Sequence, residues 1–157
     1  MTKLLLSIHV LASILVVGPI AVAASMFPRY ARQTAGEDRH SVSATVLLHR
    51  ICSGYAIVGV AVPVFGIATG AQLGVLTDAW LLTSIVLTTI AAAILALAIL
   101  PGQESMIESA ADGTGTGDGA DTKRAAARLA GLTGVFNLLW AVVVVLMIVR
   151  PGSTTGA

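Results

Sequence analysis

Four long apolar runs, separated by shorter polar stretches, dominate the pattern of the chain. The runs cover about residues 4–27, 44–73, 79–100 and 127–149. Each is long enough to cross a hydrocarbon core of about 30 Å as an α-helix. None alternates like a barrel strand, and a single segment in lipid must pair its own backbone groups. The pattern predicts an all-α fold, a transmembrane four-helix bundle forming a single membrane domain over residues 1–157.

The first run has a second interpretation, as a cleaved signal peptide with Ala21-Val22-Ala23 as the cleavage site. Its apolar stretch exceeds the usual core of about 7–15 residues in a signal peptide. Three arginines that follow it, Arg29, Arg32 and Arg39, would also have to be translocated. A membrane span is therefore the favoured interpretation.

The positive charges predict how the bundle is oriented. Those in or beside the loops after helices one and three are Arg29, Arg32, Arg39, Arg50, Lys123, Arg124 and Arg128. The opposite side has Lys3 and Arg150. Because cytoplasmic loops are enriched in lysine and arginine, we expect both longer loops inside and the N- and C-termini outside. The loop 102–122 is rich in glycine, threonine and aspartate and is expected to be a flexible cytoplasmic linker.

Composition narrows the range of functions. Charged residues make up 11% of the chain, against about 25% in soluble domains, and the mean hydropathy is +0.91. The lipid bilayer is therefore the expected partner, and a net charge of +1 gives no support to nucleic-acid binding. Cys52 is the single cysteine, which excludes an intramolecular disulfide and a thiolate metal cluster. The Ala-, Val- and Gly-rich composition favours a multi-pass protein of a bacterial cytoplasmic (inner) membrane.

Polar side chains inside a span are costly and are functional candidates. Here they are His9, His49, Asn137 and Tyr55. Neutral imidazole ligates haem iron, so His9 and His49 are candidate cofactor ligands. They begin helices that run in opposite directions, which places them roughly 20 Å apart in height and excludes one shared iron. The alternatives are a hydrogen bond across the bundle for His9 and an interfacial position beside Arg50 for His49.

Asn137 and four glycines are expected to hold helices together. Asn137 lies near the middle of helix four, where its amide must find partners in the bundle. Gly66 and Gly70 form a GxxxG match, and Gly131 and Gly134 add small positions on helix four. Small residues let helices approach closely. We expect close packing within the bundle, or between subunits of a homo-oligomer or a larger membrane complex.

Several short motifs then suggest a family. They are His9, Phe27-Pro28-Arg29, His49-Arg50, Pro63 with Gly66 and Gly70, and Asn137 ahead of Val149-Arg150-Pro151-Gly152. The chain resembles four-helix bacterial integral membrane proteins that include a predicted family of unknown function. It is more distantly similar to HemJ-type protoporphyrinogen oxidases and to CopD-type copper-protein membrane domains. The HemJ resemblance implies an oxidase that acts on a porphyrinogen and carries haem, with haem b as the cofactor and His9 as its ligand.

The HemJ pattern is incomplete in this chain. No histidine follows the Pro-Arg motif within Tyr30–Gln33, no lysine lies within Leu81–Leu87, and no acidic residue follows Asn137 directly. The leading expectation is therefore a non-enzymatic structural or accessory bundle component, with no assigned catalytic residue or metal. A haem-binding oxidoreductase is the alternative. A transporter or copper-handling protein is a further alternative, because Pro19 and Pro63 would free backbone carbonyls near mid-membrane.

Overall fold

The computed structural model describes residues 2–33, 39–112 and 119–152. The elements in chain order are α1 (Thr2–Gln33), α2 (Arg39–Gly59), α3 (Ala61–Leu73), α4 (Ala79–Ile94), a π-helical segment (Leu95–Ile99), α5 (Leu100–Ala111) and α6 (Gly119–Val149). Four continuous stretches are long and apolar enough to cross a membrane: Lys3–Gln33, His40–Leu73, Ala79–Ala111 and Ala120–Val149. The described part of the chain contains no strand. The predicted all-α four-span fold is confirmed, whereas the orientation of the termini stays a prediction.

The second span is interrupted at Val60, between α2 and α3. Pro63 explains the interruption, since it has no N–H to donate to the carbonyl of Gly59 four residues earlier. The backbone compensates with a tighter bond from the Val60 N–H to the Ile57 carbonyl at 3.3 Å. α3 ends at Gly74, whose φ of 70° closes the helix in a left-handed conformation that glycine adopts without strain.

The third span differs from the sequence prediction, which ended helix three near Pro101 and placed a loop at 102–122. The helix instead continues as α5 to Ala111, and α6 begins at Gly119. Pro101 is tolerated because it lies in the first turn of α5, directly after the wider π-helical turn. The connection between the described helices is therefore much shorter than predicted, and residues 113–118 lie outside the described part.

The core lies around α1, which packs against α2, α3 and α6. Its buried apolar residues recur at helical spacing and are β-branched, alanine or phenylalanine: Val16, Ile20, Ala23, Ala24, Phe27 and Ala31. The alanines let neighbouring helices approach closely, and Phe27 fills the space between them. Large apolar side chains such as Leu97, Ile57 and Ile148 point outward instead and are more than three-quarters exposed. An outward apolar surface of this extent belongs in contact with lipid.

A polar clamp joins spans three and four at the end opposite the arginine-rich loops. Trp80 is buried, and its indole N–H donates to the Asp78 carboxylate at 3.1 Å. The Arg150 guanidinium lies over the same indole ring, 5.7 Å from its centre. This cation–π contact fixes the end of α6 against the start of α4.

Candidate functional site

His9 is the most buried of the four polar side chains predicted as site residues. The side chain is only 6% exposed, and its Nδ1 lies 3.0 Å from the carbonyl oxygen of Val62 on α3. Because a carbonyl can only accept, Nδ1 carries the proton and donates, which leaves the lone pair on Nε2. Among the described residues, Nε2 has no hydrogen-bond partner. The contact joins the first span to the second beside the interruption at Val60.

Gly66 makes this contact with His9 sterically possible. A Cβ on Gly66 would lie 2.9 Å from the His9 Cε1 and 3.3 Å from its Nδ1, so any larger residue would require the imidazole to shift. Gly70, the other half of the GxxxG match, packs in the same way against Leu81, since a Cβ there would lie 2.7 Å from a Leu81 methyl carbon. The first glycine of the motif thus accommodates an imidazole, and the second accommodates a leucine of the next span.

His49 belongs to a separate polar cluster between α2 and α5. Its Nδ1 lies 3.2 Å from the Oε1 of Gln103, and its Nε2 lies 3.3 Å from the hydroxyl of Ser53. Gln103 is 1% exposed and donates from Nε2 to the buried Cys52 Sγ at 3.7 Å. That donation orients the amide so that Oε1 faces His49, which makes Nδ1 the protonated nitrogen of the imidazole.

The structure keeps the two histidines apart. His9 contacts Val62, which lies thirteen residues beyond His49 along the second span, or about 20 Å at the helical rise. The two imidazoles therefore serve different pairs of helices at different depths. Within the described residues, no three His, Cys, Asp or Glu side chains are grouped closely enough to hold a metal ion.

Asn137 forms a third link, between α6 and α1. Its Nδ2 donates to the Ser25 hydroxyl at 3.2 Å, and Ser25 in turn donates to the Ala21 carbonyl at 2.6 Å. The Asn137 Oδ1 is buried without a partner, as are the Thr133 hydroxyl and the Trp140 indole N–H on the same helix face. The amide therefore bridges two helices with one of the four hydrogen bonds that it can make.

The remaining predicted residues lie on the surface of the bundle. Tyr55 is 38% exposed. Gly131 and Gly134 face open space, because a Cβ on either would meet no atom within 4 Å. They do not mediate packing within this chain, so their predicted role in packing between subunits stays open.

Gln103 was missed by the sequence reasoning, which assigned it to a loop. A signal was present in the sequence: Ile99, Gln103 and Met106 recur at helical spacing, which indicates that the helix continues past Pro101. Ser25 was missed because a serine in an apolar run ordinarily bonds to its own helix, and here it does so while accepting from a second helix.

Residues 3–151 match the model of a family described as "Predicted integral membrane protein (DUF2269)". The chain belongs to this family. The predicted membership of a four-helix family of unknown function is thereby confirmed, and with it the assignment as an integral membrane protein in contact with lipid. No curated protein and no solved structure matches the DUF2269 chain. The resemblances to HemJ-type and CopD-type proteins consequently stay predictions from short motifs.

Proposed function

We propose that this DUF2269 protein is a non-enzymatic structural or accessory component of the bacterial cytoplasmic membrane, acting within a homo-oligomer or a larger membrane complex. The observation that supports the proposal best is the use made of the intramembrane polar groups. His9 joins α1 to α3, Gln103 joins α5 to α2, and Asn137 joins α6 to α1. Each group connects a different pair of helices, and the three do not line one shared cavity.

Such links fix the shape of a small bundle. Hydrogen bonds between transmembrane helices contribute about 0.6 kcal/mol on average and up to about 1.7 kcal/mol. Three of them at separate depths resist sliding and rotation of the spans against one another. A bundle of fixed shape offers a constant surface to a neighbouring membrane protein. Gly131 and Gly134 give that surface a strip without side chains, where a partner helix can approach closely.

Electrophoresis of mildly solubilised native membranes tests the proposal. The wild-type chain should migrate well above the position of its own 15.9 kDa subunit in the same detergent. Gly131→Leu should move it to the subunit position, because the leucine blocks the approach of a partner helix. Gly54→Leu is the matched control, since Gly54 also faces open space but lies on α2. Migration of all three proteins at the subunit position, or an equal shift in both variants, would contradict the proposal.

A haem-binding oxidoreductase is the second candidate, favoured by the tautomer of His9. Axial histidines in metal sites commonly donate their other ring N–H to a backbone carbonyl, as His9 does to Val62. Nε2, with its lone pair free, would be the ligand atom, and a bound haem would supply one-electron chemistry. His49 would take no part, because its Nδ1 and Nε2 face Gln103 and Ser53.

Oxidation of a porphyrinogen by the purified protein distinguishes the two candidates. The accessory role predicts no turnover above the uncatalysed rate by protein expressed with ample haem. Turnover that disappears in His9→Ala while the variant stays folded and monodisperse would replace the accessory role with the oxidoreductase. Turnover that persists in His9→Ala would contradict both the non-enzymatic role and the assignment of His9 as the haem ligand.

A further inference from the structure

An open groove of about 390 Å³ lies between the arginine-rich end of α1 and the neighbouring part of α6. Its lining residues are Ser25, Pro28, Arg29, Arg32, Gln33 and Ala130. Ser25, Arg29 and Arg32 follow one another at spacings of four and three residues, so they share one face of α1. The groove therefore has a cationic wall on α1 and a small apolar residue on α6.

The contact between Asn137 and Ser25 sets the relative height of α6 and α1 along the membrane normal. The heights of the cations near the groove can therefore be compared. Arg29 lies four residues beyond Ser25, about 6 Å along α1. Arg128, the cation of α6 nearest to mid-membrane on that side, lies nine residues from Asn137, about 13 Å along α6. Arg29 thus leaves the backbone about 7 Å deeper in the bilayer than Arg128, near the boundary between headgroups and acyl chains.

The two arginines of the groove lack an anionic partner within the described part of the chain. The ion pair found there joins Arg124 to Asp121, on the exposed start of α6 and outside the groove. Among the described residues, no carboxylate lines the groove. The planar donors of a guanidinium match the oxygens of a phosphate.

We propose that this groove binds the headgroup phosphate of an anionic phospholipid from the surrounding leaflet, of which phosphatidylglycerol is the simplest example. Arg29 and Arg32 hold the phosphate, and the Gln33 amide is available to the headgroup hydroxyls. The acyl chains leave the groove beside Ala130 and continue into the bilayer. The predicted cytoplasmic orientation of this end agrees with basic pockets between helices that recognise anionic lipids there. The inference is independent of the accessory role.

Lipid titration of the purified full-length chain, followed by native mass spectrometry, tests the site. Phosphatidylglycerol should bind as a single saturable adduct, and phosphatidylcholine should bind at least about tenfold more weakly. Arg29→Gln with Arg32→Gln should weaken phosphatidylglycerol binding by about 20- to 30-fold, since each arginine near the surface contributes a factor of about five. Arg50→Gln is the matched control, an exposed cation at the same end but outside the groove, and should change binding less than about twofold.

A second variant keeps the test decisive if the double arginine variant does not fold. Ala130→Leu retains both arginines and fills the apolar side of the groove. It should therefore also weaken phosphatidylglycerol binding, although the charge at this end of the protein is unchanged. Equal binding of phosphatidylcholine, or an equal loss in Arg50→Gln, would overturn the proposal in favour of general surface charge. Full competition by millimolar inorganic phosphate would also overturn it, because the ligand would then be a free anion and not a lipid.

Discussion

The contact between His9 and Gly66 yields the sharpest prediction about how the spans are held together. In Gly66→Ala the new Cβ would lie 2.9 Å from the His9 Cε1, where an ordinary contact requires at least 3.4 Å. The imidazole must therefore retreat from α3 by about 0.5 Å. Its 3.0 Å bond to the Val62 carbonyl would lengthen to about 3.5 Å, beyond a useful hydrogen bond.

The expected magnitude combines three terms. Overpacking of a filled site costs about 1–3 kcal/mol, and a lost interhelical hydrogen bond costs about 0.6 kcal/mol. Replacing a helix-interior glycine by alanine returns about 0.5–1 kcal/mol. The net loss of unfolding free energy should therefore fall between about 0.5 and 3 kcal/mol. Gly54→Ala, on the same span and facing open space, should be neutral or slightly stabilising.

Equilibrium unfolding in mixed micelles, followed by the fluorescence of the two tryptophans, measures these differences. A double-mutant cycle with His9→Ala identifies the cause. Without the imidazole, Gly66→Ala should keep only the gain from replacing glycine, which corresponds to a coupling energy of about 1.5–3.5 kcal/mol. An unchanged cost in the His9→Ala background, or equal stability of Gly66→Ala and Gly54→Ala, would refute the reasoning.

Three further predictions concern the other buried polar groups. Gln103→Leu should cost about 1–3 kcal/mol of unfolding free energy, because it removes a fully buried amide and leaves the partly buried His49 Nδ1 without an acceptor. Gln72→Leu, at an exposed position, should change the same unfolding curve little. Asn137→Leu should cost less than about 1 kcal/mol, because the amide makes one bond and its Oδ1 is already unpaired; a larger loss in the same assay would contradict this. Cys52, fully buried, should react with a small maleimide at least about 100-fold more slowly in the folded protein than in SDS, and equal rates would contradict its burial.

The spans were predictable from sequence because their signal is local. Twenty or more apolar residues in succession leave few alternatives to a membrane helix, and the four runs match the four long helices of the structure. The end of the third helix was not predicted correctly, because Pro101 is a breaker in a helix interior and harmless in a first turn. The preceding π-helical turn decides between these cases, and its presence depends on packing.

The polar site was predictable as a set of residues but not as a set of contacts. His9, His49 and Asn137 could be singled out because polar groups inside a span are costly. Their partners are a backbone carbonyl, a glutamine from an assumed loop and a serine in an apolar run. None of these partners has a distinctive sequence signal, since each depends on which helix faces come together. For the same reason, the sequence alone does not show that Gly66 and Gly70 pack against neighbouring side chains whereas Gly131 and Gly134 face open space.

The central claim is that His9 acts by holding two spans together and not by binding a cofactor. An absorption spectrum of oxidised and dithionite-reduced protein, recorded for the wild type and for His9→Asn, tests it most directly. The asparagine Nδ2 can still donate to the Val62 carbonyl, but the side chain cannot ligate haem iron. Protein expressed with ample haem should be colourless in both forms, and His9→Asn should keep most of the wild-type stability. A stoichiometric Soret band in the wild type that His9→Asn abolishes would contradict the claim.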